Sequence, residues 1–381
     1  MTTSARVLYA TKLYHPWPGG VEKVVQWHAE GLRPEFETSV LACRPRGLGR
    51  RDEVNGVGVR RVPSLGMYKG MPVAPSYPLE FWRAARRADI VHAHLPFPIA
   101  DMSASMFARG DVELIATWHS DLVRQRAVMP VYGPFMRRFL DRAARIIVPS
   151  EAALERSRDL RAYEGKCEVV PLGVPIPEKL DERKPESSGP VILYAGRLAY
   201  YKGLGHLLRA MRDVDAELVI AGTGELEAQL RAMAEELGVA GRVKFTGHVT
   251  DEELAGLYRR CDVFVLPSDS PAETTGLVQI EAMARGKPVV NTSLPTDVPR
   301  VSVDGETGLT VTPGSSDELA IALNALLGSA AMRERFGRAA RERAVRHYSV
   351  EAMNSRVGDI YRQVLGTAAP IERSANTMAA A

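Results

Sequence analysis

The chain has 381 residues, enough for two domains, and its 45% hydrophobic and 25% charged residues are those of a globular protein, not a disordered or membrane-spanning one. Three scattered cysteines (Cys43, Cys167, Cys261) argue against a disulfide framework or a zinc knuckle and fit a reducing cytosol. The net charge of +3 hides an asymmetry: residues 1–170 carry 25 Lys and Arg against 18 Asp and Glu (+7), leaving 24 against 28 (−4) for the remainder.

In chain order, short apolar runs alternate with helical patterns. Strands are predicted at 6–11, 38–43, 57–63, 89–94, 113–120, 145–150 and 167–173, with helices at 20–32, 77–88 and 134–144 between several of them. A Pro-, Ser- and charge-rich stretch at 171–190 reads as a linker. The alternation then resumes, with strands at 191–197, 217–224, 242–249, 262–268, 287–292 and 307–313. Helices are predicted at 202–212, 225–237, 251–260, 276–285, 316–327, 330–346 and 350–365, before a tail of disordered composition at 366–381. "RIIVPSEAA" and "DVFVLPSDSPAE" echo each other, so both halves read as one kind of unit. The expected fold class is α/β: two Rossmann-like doubly wound domains facing a central cleft.

The stretch "AETTGLVQIEAMARGKPVV" (272–290) sets a loop carboxylate, Glu273, eight residues before Glu281. The helix begins near Thr275-Gly276, where unpaired N–H groups and the positive dipole end make a phosphate seat. Glu273 would then stand beside what the phosphate carries, and Glu281 could accept from a ribose; the bland alternative is a surface glutamate and a capping glycine. "YAGRLAYYKGLGHLL" (194–208) adds Arg197 and Lys202 at a strand's carboxyl end, a cation pair suited to a diphosphate and predicted at the surface. Gly19-Gly20 lets backbone approach an anion but lacks dinucleotide-fold spacing, and the G-x-G of "AGTGEL" reads as a tight turn. His92, His94 and His119 fall near strand ends and read singly as ordinary loop histidines. His92-x-His94 lacks a third metal ligand.

Taken together and in order, "GGV", "TWHSD", "GRL…YYKG", "AGTGEL", "VKFTGHV" and the paired glutamates before "AMARGKPVV" resemble the family 4 retaining glycosyltransferases of the GT-B fold, over residues 6 to about 365. The resemblance implies an N-terminal acceptor domain (1–171), a C-terminal nucleotide-sugar domain (172–349) and a helix at 350–365 crossing back to the first. It places Arg197 and Lys202 on the donor diphosphate, Glu281 on the ribose, Glu273 on the sugar hydroxyls and His119 beside the sugar. Backbone at Thr275, Gly276 and Leu277 and at Gly19-Gly20 would touch phosphate, and the loop at His248-Val249 would meet the base. Tyr14 and His94 are expected on the acceptor side. Thr274 and Thr275 depart from the usual family residues, which bears on the identity of the sugar. The implied reaction moves a hexose from a nucleotide sugar, GDP-mannose-like or a UDP-sugar, to a glycan or lipid-linked acceptor of a bacterial surface polysaccharide. No cofactor or metal is expected. The alternatives are a non-catalytic sugar-nucleotide or lipid-surface binder and a GT-B epimerase. The expected location is cytoplasmic, with peripheral docking on an anionic membrane through the arginine-rich segment 124–145; no nucleic-acid partner is expected.

Overall fold

The computed structural model describes residues 4–17, 19–68, 70–119, 129–180 and 189–366. Arg124 and Arg126, residues 181–188 of the linker and nearly all of the tail lie outside the described residues. Contacts divide the chain into two units, Met1–Val170 with Met353–Ala381, and Pro171–Ala352.

The first unit runs β1 (Arg6–Ala10), α1 (Gly20–Gly31), β2 (Glu37–Cys43), β3 (Arg50–Val54), β4 (Val57–Val62), β5 (Met67–Tyr68), β6 (Met71–Pro72), α2 (Tyr77–Ala85), β7 (Ile90–Leu95), α3 (Pro98–Phe107), β8 (Glu113–Trp118), α4 (Met129–Arg142), β9 (Arg145–Val148), α5 (Glu151–Arg156) and β10 (Cys167–Val169). Its sheet has the order β10-β9-β8-β7-β1-β2-β4-β3, parallel except for β3. Every residue of β7 is buried, as a strand covered on both faces requires. β3 was not predicted. It pairs with β4 across an Asn55-Gly56 turn with φ of 50° and 79°, the left-handed pair of a tight hairpin.

Helix α4 starts at Met129, earlier than predicted, and turns Tyr132, Met136, Phe139 and Leu140 into the core. Two of its arginines close the end of α3: Arg138 Nε donates to the Ser105 carbonyl at 3.2 Å, and Arg142 donates to those of Ala108 and Arg109 at 3.1 and 2.8 Å. These bonds satisfy orphan carbonyls at the end of α3, while Arg137 and Arg138 remain exposed.

The second unit contains β11 (Val191–Ala195), α6 (Leu204–Ala210), β12 (Glu217–Ala221), α7 (Glu227–Glu236), β13 (Val243–Gly247), α8 (Asp251–Arg260), β14 (Val263–Val265), α9 (Leu277–Ala284), β15 (Val289–Thr292), α10 (Val298–Val301), β16 (Gly308–Val311), α11 (Ser316–Leu327) and α12 (Ala330–His347). The all-parallel sheet has the order β13-β12-β11-β14-β15-β16. The strand order therefore reverses between β11 and β14, which is where ligands bind in doubly wound sheets. Thr250 and Glu253 form a reciprocal cap at the start of α8. The last helix, α13 (Val350–Val364), packs in the first unit from residue 353 onward. Its Asn354 and Tyr361 are bonded to His28 and His92.

Candidate active site

The loops that leave β11 and β14 carry most of the predicted donor residues. After β11 comes Arg197, then a single 3-10 turn, Tyr200–Lys202, and α6. After β14 comes a loop holding Ser268 and Glu273, then α9. The two loops are tied together: Asp269 N–H donates to the Tyr201 carbonyl at 3.1 Å.

Their closeness settles an expectation. Lys202 is not at the surface; it is buried, and its Nζ donates to Glu273 Oε2. Ser268 Oγ donates to the same oxygen at 2.9 Å. Both ends of the pair are 9% exposed, so it is a desolvated ion pair, and removing one partner leaves an uncompensated charge. Arg197 does behave as predicted: its side chain is 58% exposed, with the Glu225 carboxylate 3.8 Å away. Neither the part played by Ser268 nor the Lys202–Glu273 pairing, which joins positions 71 residues apart, was legible in local spacing. The "AGTGEL" glycines let the turn after β12 press onto the Arg197 loop: a Cβ at Gly222 would lie 2.0 Å from the Gly196 carbonyl, and one at Gly224 2.3 Å from that of Leu198.

Gly276 caps α9 with φ 67°, and a Cβ there would lie 2.5 Å from Leu266 Cδ2, so both backbone and space call for glycine. Thr275 is buried just before it. Its carbonyl accepts from Gln279 Nε2 at 2.7 Å, while its Oγ1 has no partner among the described residues. Leu277 opens the helix, whose first N–H groups lack intrahelical partners. Glu281, half-buried in the second turn, accepts from the Tyr258 hydroxyl at 3.1 Å. Val249 and His248 follow β13 and line an open groove of about 420 Å³ with Thr246, Glu253 and Leu257.

In the first unit, the order reverses between β1 and β7. Gly19 and Gly20 start α1 as predicted, but the anion nearest them is the chain's own: a Cβ at Gly19 would lie 2.0 Å from Glu22 Oε2. Burial raises the Glu22 carboxyl, opposed by its own backbone N–H and by Lys12. Tyr14 is buried, and its hydroxyl has no partner among the described residues.

The histidines depart furthest from expectation. His92 and His94 lie inside β7, not in a loop, and are fully buried. Being two residues apart on a strand, they share one face. His119 follows β8, and His28, which sequence reasoning missed, comes from the buried face of α1. Its signal was legible: it continues the apolar stripe Val24, Val25, Ala29. His92 is bonded at both nitrogens, to the Tyr361 hydroxyl at 2.6 Å and to Thr117 Oγ1 at 2.7 Å. His28 Nδ1 donates to Asn354 Oδ1 at 2.7 Å, and His94 Nδ1 lies 3.0 Å from His119 Nε2. Burial holds all four neutral, lowering His28 to about 4, His119 to about 3, and His92 and His94 well below the usual value. Among the described residues no group of three His, Cys, Asp or Glu side chains could hold a metal ion, and no helix is long and apolar enough to cross a membrane.

Two parallel doubly wound sheets, the second with a cation, a buried Lys–Glu pair and a helix start at its switch point, define the architecture of a GT-B glycosyltransferase. The chain belongs to glycosyltransferase family 4 and is a hexosyltransferase: residues 18–177 match the profile "Glycosyltransferase Family 4" and residues 176–343 the profile "Glycosyl transferases group 1". It is similar to the D-rhamnosyltransferase WbpZ of Pseudomonas aeruginosa (32% identical, covering 69% of this chain and 71% of that one). It also resembles O-antigen chain mannosyltransferase C of Escherichia coli (26%, covering 94% and 99%) and the phosphatidyl-myo-inositol mannosyltransferase of Mycobacterium leprae (30%, covering 93% and 96%). In fold it matches Anabaena Alr3699/HepE, solved with UDP-glucose, at a TM-score of 0.76 and 20% identity over 94% of this chain and 99% of that one.

Proposed function

We propose that the chain transfers mannose or a related hexose, with retention of configuration, from a GDP-sugar to a glycan or lipid-linked acceptor in polysaccharide or glycolipid synthesis. The observation that carries this reading is the convergence of Arg197, Lys202, Glu273 and the α9 N-terminus on the β11/β14 switch point. The leaving group is a nucleoside diphosphate whose negative charge grows as the glycosidic bond breaks. Arg197, Lys202 and the N–H groups of Gly276 and Leu277 stabilise that charge without a metal. In the free protein Glu273 holds Lys202. When the diphosphate takes the ammonium, the carboxylate is released to accept from sugar hydroxyls. Glu281 meets the ribose, His248-Val249 the base, and His119 the sugar; Gly19-Gly20 touches phosphate once Glu22 gives way, and Tyr14 stands on the acceptor side. The sugar named for two bacterial relatives, mannose or D-rhamnose, supports a GDP-linked donor over a UDP-linked one.

Peripheral docking of this cytoplasmic enzyme on an anionic membrane is better supported by α2 and the end of α3 than by α4. Leu79, Trp82, Met106 and Phe107 are exposed there. Arg83, Arg86 and Arg87 stand among them, and Arg109 Nη1 bonds the Arg86 carbonyl at 3.1 Å, joining the two helix ends. Apolar side chains ringed by arginine suit the interface of an anionic bilayer.

The test is turnover with GDP-mannose and membrane extract, following GDP release, sugar incorporation and product anomer by NMR. An α-linked product formed equally well in EDTA supports the reading. An inverted product, or activity lost in EDTA and restored by Mg2+, overturns it. A non-catalytic binder would bind the nucleotide and release no GDP.

A further inference from the structure

We propose that His94 is a positioning residue: it donates from Nδ1 to His119 Nε2 and so fixes His119 in the Nδ1-protonated form, which offers the sugar a hydrogen-bond donor and not a base. The inference rests on the reading that His119 meets the sugar. Its geometry is independent of that reading.

The two rings stack at 24° with centroids 5.2 Å apart, and a single proton must lie between His94 Nδ1 and His119 Nε2 at 3.0 Å. Two arrangements are available to a neutral pair. If His119 were the donor, His94 would carry its own proton on Nε2. That atom is buried and has no hydrogen-bond partner among the described residues. A buried N–H left unpaired is the costlier defect, whereas a bare lone pair is better tolerated. The proton therefore sits on His94 Nδ1, and His119 Nε2 accepts it.

The surroundings leave the pair little freedom to choose otherwise. His94 is 2% exposed and boxed by the rings of His92, His28 and Tyr9 at 4.6, 5.9 and 6.1 Å. His28 has its proton on Nδ1, because its partner is the Asn354 carbonyl oxygen; the amide is oriented by its own N–H bond to the Trp27 carbonyl at 3.0 Å. Burial keeps every histidine of the cluster uncharged near neutrality. With Nε2 engaged, His119 carries its proton on Nδ1, and because its side chain, unlike that of His94, is only partly buried, that N–H is not sealed away from a partner. Sequence spacing alone gives no hint of this: His94 and His119 are 25 residues apart and meet because β7 and β8 are neighbours in register.

The test uses the full chain labelled with 15N-histidine. Long-range proton–nitrogen correlations, assigned through His94→Asn and His119→Ala, read the tautomer directly. The expected result is a protonated Nδ1 and a bare Nε2 on His119; a protonated Nε2 overturns the proposal. Kinetics supply the second arm. His94→Leu, which keeps volume and removes the donor, should lower kcat by about tenfold or more while leaving the KM for the nucleotide sugar nearly unchanged. His94→Asn, which returns an N–H near the Nδ1 position, should recover part of that loss. Equal losses in the two variants, or a change confined to KM, would count against a tautomer-setting role. Wild-type turnover in His119→Ala would overturn the role of His119 at the sugar, and the spectra would still decide the tautomer.

Discussion

Acidifying the protein from pH 7 to pH 5 should destabilise its first unit, because that unit buries four neutral histidines together. A histidine with a depressed folded pKa contributes stability that is present above its unfolded value of 6.5 and lost as pH falls toward the folded one. The unfolded chain binds protons that the folded one refuses. With folded values at about 4 and about 3, His28 and His119 each lose about 2 kcal/mol between pH 7 and pH 5, roughly 4 together, and His92 and His94, held well below the usual value by burial, act in the same direction. Asp101 works in the opposite sense. It is buried in α3, bonded to the Tyr132 hydroxyl, and desolvation pushes its carboxyl up to about 7. Its contribution is full below the unfolded value of 3.8 and lost as pH rises through about 7, so acidification returns about 2 kcal/mol. The net loss from His28, His119 and Asp101 is roughly 2 kcal/mol, and His92 and His94 add to it, a large share of the stability of a marginal domain.

All four tryptophans (Trp17, Trp27, Trp82, Trp118) belong to the first unit, so intrinsic fluorescence reports on it alone. Urea titrations followed by tryptophan emission should show the midpoint falling by about 1 M or more between pH 7 and pH 5. In His92→Gln the dependence should flatten by about one proton. A midpoint independent of pH over that range would refute the claim that the cluster is buried and neutral.

Lys202→Ala and Arg197→Ala should each cut turnover by about a hundredfold. Only the lysine variant should also destabilise the second unit, by about 3 kcal/mol, because it strands a buried Glu273; dye-based thermal melts separate the two. Glu273→Gln should abolish most transfer while keeping or raising nucleoside diphosphate affinity, since Lys202 is no longer held; weaker diphosphate binding with transfer intact would reverse the assigned roles. Trp82→Ala combined with Leu79→Ala should reduce co-sedimentation with anionic vesicles at low salt, whereas loss only on changing Arg138 would return the surface to α4.

The alternation of strands and helices was legible because parallel strands buried on both faces read as unbroken apolar runs, as in β11 and β14. β3 escaped notice because it is a charged edge strand, "RRDEV", with no apolar periodicity, although the following Asn-Gly was a hairpin signal. α3 was equally available from Pro98 at its first position, yet no element is predicted between the strands at 89–94 and 113–120. At the site, residue types and strand ends were legible; partners were not. Whether a lysine points to water or to a carboxylate 71 residues away depends on which strands become neighbours, and local spacing does not encode that.

The most direct test of the proposed donor site is calorimetric titration of GDP, UDP, ADP and dTDP into the wild-type chain, repeated for the tightest binder with Arg197→Ala. One nucleoside diphosphate, expected to be GDP, should bind with one-to-one stoichiometry and lose about a hundredfold in affinity on removal of the guanidinium, a difference of about 2.7 kcal/mol. Binding of none of the four, or binding indifferent to Arg197, would contradict a donor diphosphate seated at the β11/β14 switch point.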